Sequence, residues 1–357
     1  MLRQQDVGHR IVVRRIVGIR EGRPLFSDAL GELVELTETH LTLSTAQGRL
    51  QVAVGEVHRA KRVPPARRPT AAAVVALELA ADEAWPAPTR SRLGGWLLRS
   101  AEGWTGRANS ALPVGDPDRP LPAALDAVER WYADHGQPAL VNTPLPLATP
   151  VGIELDARGW GTRPPTLVQT VPLATLRAAR AGTPPGRTGT PRVLTDPSRD
   201  HDDRPPAGAE PPAAGGEPTR GAAEPPPVEL VAAPSDNWLA IAAGRKGSLP
   251  DAARHVLTAV DRIRFAQVYA DGELIAIGRG TVTGQGRWLG VTLVEVLPHA
   301  RRQGLATRVV CALADWGAAL GATDAFLQVE QRNTPAVVLY RALGFTTHHT
   351  YLTRVAP

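Results

Sequence analysis

Val294-Glu295-Val296-Leu297-Pro298-His299-Ala300-Arg301-Arg302-Gln303-Gly304-Leu305-Ala306 is the stretch on which the reading of this chain turns. It passes from an apolar strand into a helix, and the junction carries the pattern Arg301-x-x-Gly304-x-Ala306. A helix that begins after a turn presents unpaired N–H groups and the positive end of its dipole. Gly304 removes a side chain where an anion has to approach, and Ala306 keeps the first turn slim. Arg301 and Arg302 add positive charge. The junction therefore reads as a pyrophosphate cradle. It is not a Walker A loop, because Gly-Lys-Ser/Thr is missing, and it is not a GxGxxG dinucleotide turn.

Working outward, the spacing predicts a helix over 305–320 closed by Gly321, a strand over 325–330, a helix over 335–343 ended by Gly344, and a last strand over 348–355. Upstream, a helix is expected over 249–260, then strands over 264–270 and 273–280 joined by Asp271-Gly272, and a strand over 288–297. The same order recurs earlier in the chain at an offset of about 185 residues. Trp104-Thr105-Gly106 matches Trp288-Leu289-Gly290, and Leu112-Pro113 matches Leu297-Pro298. Glu129-Arg130-Trp131 matches Ala314-Asp315-Trp316, Ala139-Leu140-Val141 sits opposite Phe326-Leu327-Gln328-Val329, and Arg158-Gly159-Trp160 matches Leu343-Gly344-Phe345. Two copies of one α/β fold are implied. An amphipathic helix over 121–135 belongs to the first copy, and strands are expected at 95–99 and 106–112.

The cradle, followed by Gln331-Arg332-Asn333-Thr334-Pro335-Ala336-Val337-Val338-Leu339-Tyr340-Arg341-Ala342-Leu343-Gly344-Phe345, resembles the GNAT acetyltransferases over about 120 residues. The resemblance implies an α/β (α+β) GNAT fold and an N-acetyltransferase with acetyl-CoA as co-substrate. It implies that the backbone of Val294, Glu295 and Val296 pairs with the pantetheine arm. The cradle maps onto Arg302, Gln303, Gly304, Leu305, Ala306 and Thr307, with the charge of Arg301 beside it. The cofactor-contacting asparagine of the family falls on Asn333, and its tyrosine near the thioester sulfur falls on Tyr340. The implied acceptor is a primary amine (of a small molecule, a protein N-terminus or a lysine) attacking directly in a ternary complex. The whole chain resembles an actinobacterial-type subgroup with a small Src-homology-like barrel ahead of a GNAT-like repeat.

Acetyl transfer needs a base for the amine proton and an acid for the departing thiolate. Tyr340 is the expected acid. Glu295 on the strand and Glu330 at the end of the next strand are candidate bases, with a water relay as the other option. Many family members carry glutamate where this chain has Gln328. His348 and His349 read as surface residues, Cys311 as a core residue, and no metal-ligand spacing appears. The first copy departs from the pattern: its cradle position reads Val114-Gly115-Asp116-Pro117-Asp118-Arg119-Pro120, and Gly152-Ile153-Glu154-Leu155-Asp156 has no tyrosine. Two acids and two prolines oppose phosphate binding. This copy is expected not to bind CoA and instead to shape the acceptor cleft.

The rest of the chain sets the frame. Of 357 residues, 21% are charged and 43% hydrophobic, which supports folded domains. Residues 9–63 alternate as five short strands, a small all-β barrel. The expected division is 1–63 barrel, 70–180 degenerate GNAT-like domain, 181–230 disordered Pro/Gly-rich linker and 231–357 catalytic domain. The linker follows from about a dozen prolines and almost no large apolar residues. A net charge of +5 suits an anionic ligand such as CoA without pointing to nucleic acid. Arg10, Arg14, Arg15 and Arg20 lack interleaved aromatics, so a solvated face is expected there rather than a nucleic-acid site. A single cysteine excludes an internal disulfide, there is no membrane-spanning apolar run, and MLRQQDVGHR lacks a signal-peptide core. A cytoplasmic protein is expected, with a homodimer left open by the linker length. The second reading is a non-catalytic acetyl-CoA sensor or a nucleic-acid-associated adaptor recruited through the barrel.

Overall fold

The computed structural model describes residues 2–20, 23–45, 48–63, 69–181, 226–246 and 249–357. The chain divides into two compact units, Met1–Pro69 and Thr70–Pro357.

The first unit is antiparallel throughout. Strands β1 (Arg10–Arg20), β2 (Arg23–Leu36), β3 (His40–Thr45), β4 (Gly48–Ala53) and β5 (Val57–Arg62) pair in the order β4-β3-β2-β1-β5. Alternation places Ile11, Val13, Leu33, Leu41, Leu43 and Val52 on one buried face. The five expected strands are present. β2 starts eight residues before the apolar pattern announces it, because Arg23–Leu30 pairs with β1 while its side chains stay largely exposed. Arg14 is held by Asp28 through two hydrogen bonds of 2.8 Å, so this arginine already has an anionic partner.

The second unit begins with α1 (Ala71–Glu83), capped by the Thr70 hydroxyl, and the two-stranded sheet β6 (Thr89–Leu93) and β7 (Trp96–Ser100). Then come α2 (Leu121–Asp134), β8 (Leu140–Leu145), α3 (Thr149–Ala157), β9 (Gly161–Thr162), β10 (Thr166–Pro172) and α4 (Leu173–Ala181). The later part holds β11 (Glu229–Val231), α5 (Asp236–Lys246), α6 (Asp251–Thr258), β12 (Ile263–Ala270), β13 (Glu273–Thr283) and β14 (Trp288–Val296). It closes with α7 (Leu305–Ala319), β15 (Asp324–Glu330), α8 (Thr334–Ala342) and β16 (Thr346–Val355).

The expected repeat is visible element by element: α2, β8, α3 and β10 are followed some 185 residues later by α7, β15, α8 and β16. The copies share one sheet, ordered β11-β12-β13-β14-β15-β10-β16-β8, with β9 beside β16. Each copy's last strand is placed toward the other copy. β10 pairs along its length with β15, from Thr166↔Glu330 to Pro172↔Asp324, and β16 pairs with β8, from Thr350↔Leu145 to Val355↔Leu140. The strands β10 and β16 are antiparallel neighbours where the two copies join. The main core lies between the sheet and α4, α7 and α8, with Val309, Val310 and Leu313 of α7 fully buried.

Two expectations differ. The stretch 106–112 is not a strand: it holds a short 3-10 turn at Arg107–Asn109 and single bridges, Leu97↔Leu112 and Ala111↔Val141. Those bridges run antiparallel and parallel, as do the partners of β14, so the topology survives where the strand does not. The linker expected over 181–230 is shorter at its end, since Glu229–Val231 pairs with β12. Its residues 182–225 lie outside the described residues, as do 64–68 between the units. Among the described residues no helix is long and apolar enough to cross a membrane.

Candidate active site

β14 and β15 are parallel partners only at Trp288↔Asp324, Leu289↔Ala325 and Gly290↔Phe326. A Cβ at Gly290 would fall 2.9 Å from the Phe326 ring, so glycine permits the last close contact before the strands separate. Beyond it β14 carries a register irregularity opposite β13, with Leu293 at φ 53. The bulge turns the end of β14 away from β15 and opens a cleft of about 250 Å³ between them. Val294, Glu295, Glu330, Asn333 and Tyr340 line this cleft. Asn333 caps α8, its side chain accepting from the Ala336 N–H at 3.4 Å. Asn333, Ala336 and Tyr340 stand at i, i+3 and i+7 and all reach the cleft. Tyr340 is buried and packs edge-on against Phe345 at 5.7 Å.

After β14 a short 3-10 turn, Pro298–Ala300, leads to Arg301 in extended backbone and Arg302 at φ 65. Gly304 takes φ 77 as the N-terminal flank of α7, and no side chain caps that helix. An added Cβ at Gly304 would meet nothing within 4 Å, so the space over the first turn is open. The left-handed backbone is what demands glycine here. Arg302, Gln303 and Gly304 are exposed around the turn, whereas Leu305 is buried and anchors the helix to the core. Arg301 turns back, its Nε donating to the Val296 carbonyl at 3.1 Å. Thr307 faces a second, mostly apolar groove of about 820 Å³ between α7 and α8, along with Arg308 and Leu339.

The two candidate bases differ in surroundings. Glu330 is half-exposed and accepts from Arg332 Nε at 2.6 Å. Glu295 is partly buried in the cleft. Gln328 accepts from the Tyr351 hydroxyl at 3.3 Å.

Much of the cleft wall comes from residues that the sequence did not flag. Trp85, Thr105, Gly106, Arg107 and Arg163 of the first copy line it, with Tyr351 and Thr353 of the last strand. Tyr351 and Thr353 could be found by alternation along β16; the residues of the first copy reach the cleft only through contacts far apart in the chain. The first copy thus forms part of the cleft wall, as its degenerate sequence led us to expect. Its own cradle position is closed. The Gly95 N–H donates to the Asp116 carbonyl, Trp96 Nε1 donates to the Gly115 carbonyl at 2.9 Å, and Pro120 flanks α2 without an N–H.

The histidines correct the sequence reading. His349 is buried, with Nε2 2.7 Å from Glu78 Oε1 of α1, which is also buried. A bulge where β16 pairs with β10, between Val168 and Gln169, adds His348 as an extra residue, and its Nδ1 lies 2.8 Å from His349 Nδ1. Burial and the neighbouring His349 hold the His348 imidazole below its ordinary value of 6.5, against a weaker upward pull from Glu78. The surface reading failed because Glu78, the partner that makes burial affordable, lies 271 residues away.

The family described as "Probable histone acetyltransferase Rv0428c C-terminal" matches residues 71–168 and 213–353. The probable histone acetyltransferase Rv0428c of Mycobacterium tuberculosis is 28% identical, over 98% of this chain and 95% of that protein. Among solved structures, a GCN5-related N-acetyltransferase from Kribbella flavida superposes with a TM-score of 0.53 at 15% identity, covering 80% of this chain and 95% of that one. That likeness carries the fold. With the family match spanning most of the chain, the protein belongs to the Rv0428c C-terminal acetyltransferase family, built as tandem GNAT-like copies behind a small all-β barrel.

Proposed function

We propose that the chain is an N-acetyltransferase that uses acetyl-CoA and a primary amine in one ternary complex. The observation that carries this is the separation of β14 and β15 beyond Gly290, which opens a cleft lined by Asn333 and Tyr340, together with the uncapped helix N-terminus at Gly304 that follows β14 in the chain. The donor set suits a pyrophosphate: open space above a left-handed glycine, free first-turn N–H groups, and Arg302 at the surface. Val294, Glu295 and Val296 would pair with the pantetheine arm. Acetyl-CoA supplies the activated acyl group when bound.

The remaining chemistry falls to the protein. The cleft aligns a neutral amine with the thioester carbonyl. The N–C bond forms and the C–S bond breaks. Glu295, directly or through one water, takes the amine proton, and the Tyr340 hydroxyl protonates the departing thiolate. Glu330 is the weaker candidate because its carboxylate is half-exposed and already accepts from Arg332 Nε. One site per chain is proposed, since the first copy's cradle position is filled by its own backbone contacts. The acceptor is a small molecule, a protein N-terminus or a lysine; the histone named for the M. tuberculosis relative belongs to the last class.

The test is a calorimetric titration of acetyl-CoA into the wild type and into Gly304→Glu. One saturable site, weakened at least about tenfold in the variant, is expected, because a carboxylate would stand in the anion's place on strained backbone. Two sites per chain would overturn the silence of the first copy. No binding would overturn the acetyltransferase reading.

A further inference from the structure

The first unit carries all of the net charge of the chain. Residues 1–69 hold 12 of the 40 arginines and lysines and 7 of the 35 aspartates and glutamates, a balance of +5. Residues 70–357, with 28 of each, are neutral. The same unit carries most of the exposed apolar side chains. Of the ten large hydrophobic residues that stand exposed among the described residues, seven belong to it. Five of those, Val17, Ile19, Leu25, Phe26 and Leu30, lie on the hairpin of β1 and β2. Single exposed aliphatics are ordinary, but a cluster of them on one small unit marks a surface that meets a partner.

Strand register brings charge and apolar surface onto one face. Opposite residues of antiparallel strands share a face. Across β1 and β2, Ile19 therefore stands with Pro24, Ile16 with Phe26, Arg14 with Asp28 and Val12 with Leu30. Lys61 and Arg59 of β5 stand beside Val12 and Arg14 on the same side. Ile11, Val13 and Leu33 point the other way, into the core. A groove of about 590 Å³ on this outer face is lined by Val12 and Leu30 and by the cations Arg10, Arg14, Arg59 and Lys61. Phe26 extends the apolar row, its ring tilted against that of His58 at 4.7 Å. Two acids share the face, against four cations. Asp28 is already held by Arg14, through two hydrogen bonds of 2.8 Å. Glu32 stands across from Arg10, with no ion pair among the described residues. Arg10, Arg59 and Lys61 likewise have no carboxylate partner among the described residues. Arg59 also sits directly across from Arg14, and like charges so placed oppose the pairing of the strands.

We propose that this face of the first unit docks an acidic protein segment, one that carries aspartate or glutamate beside large apolar side chains. The apolar row supplies most of the affinity, and the flanking cations select the sign of the partner. Arginine beside exposed apolar side chains is the composition of a protein interface. A nucleic acid needs successive aromatic platforms, and Phe26 is the only Phe, Tyr or Trp in residues 1–69. A second copy of this chain would set the same cations against one another. The face follows β1 for about 30 Å, which an extended peptide of about ten residues spans. The inference goes beyond the acetyltransferase reading and does not rest on it. The docked segment is distinct from the acetylated amine: the face belongs to the first unit and the proposed cleft to the second.

Display selection of random peptides of about ten residues on the full-length chain tests this, with the Arg59→Glu/Lys61→Glu double variant used to subtract background. The sequences that survive subtraction should carry net negative charge and large apolar residues. A synthetic peptide of that consensus should bind the full chain in a calorimetric titration. Its affinity should fall about tenfold or more in the double variant and in Phe26→Ser, and should fall as salt rises from about 0.05 to 0.5 M. Arg59, Lys61 and Phe26 are exposed, so these variants should keep the wild-type melting temperature. Where Phe26→Ser lowers it, Leu30→Ser, also at an exposed position, takes its place. Survivors that are basic or uncharged, a consensus peptide that binds every variant equally, or no survivors at all would each overturn the proposal. Oligothymidylate bound at this face and released by the two charge reversals would assign it to nucleic acid instead. A dimer in sedimentation that Phe26→Ser dissociates would assign it to a second copy, and either result overturns the acidic segment.

Discussion

At the scale of single residues, α8 concentrates the proposed chemistry. Asn333 caps the start of the helix and Tyr340 stands two turns on, so a fixed helical spacing delivers both to the cleft. Removing only the Tyr340 hydroxyl leaves the packing against Phe345 in place. Tyr340→Phe should therefore lower kcat by about a hundredfold or more with acetyl-CoA affinity nearly unchanged, as single-turnover kinetics and calorimetry would show. A protein that only senses acetyl-CoA would have no turnover to lose. The turn at Gly304 was legible from the sequence pattern, whereas Asn333 and Tyr340 were singled out through the family resemblance; the structure gives Gly304 a left-handed backbone and places Asn333 and Tyr340 on one helix lining the cleft. Arg107, Arg163 and Trp85 were not legible, because nothing local to them requires an arginine or a tryptophan. Arg301 was legible only in part, as its side chain turns back to β14.

At the scale of elements, α1 and the strands it covers are joined by buried polar groups. Arg279 of β13 ties the last carbonyls of α6 to the C-cap residue of α1, a cation placed at two negative helix ends. Arg279→Met would leave those carbonyls without a donor. A loss of about 3 kcal/mol in urea-unfolding stability is expected. The second tie is Glu78–His349–His348. The His348 imidazole is held below its ordinary value, so the unfolded chain binds its proton more readily than the folded one. Its contribution to stability is intact above about pH 6.5 and is lost as pH falls from there through the lowered folded value. The melting temperature should drop on acidification across that window, and His348→Asn should flatten the slope.

At the scale of the whole molecule, the second unit is one sheet made by two copies. Because β10 lies between β15 and β16, a fragment holding 226–357 alone lacks a central strand and bares two long edges. We expect that fragment to aggregate, and co-expression with 70–181 to recover a soluble complex, read by size-exclusion chromatography and circular dichroism. A monodisperse, folded 226–357 would show that the shared strand contributes little. The same arrangement gives the first copy a structural part: it completes the sheet and forms part of the cleft wall.

The sequence alone determined what is local or periodic. The five-stranded start follows from alternation, the helix ends from glycine and capping residues, the repeat from a regular offset, and the proposed cradle from the Arg301-x-x-Gly304-x-Ala306 junction. Tertiary structure decided what depends on distant partners. The strand at 106–112 gave way to a pinned turn because Asn109 bonds four backbone groups at once. His349 went inside because Glu78 meets it there. Hydrogen bonds within a few residues follow from backbone geometry, whereas the desolvation and pairing of charges are set by whichever groups the fold brings together.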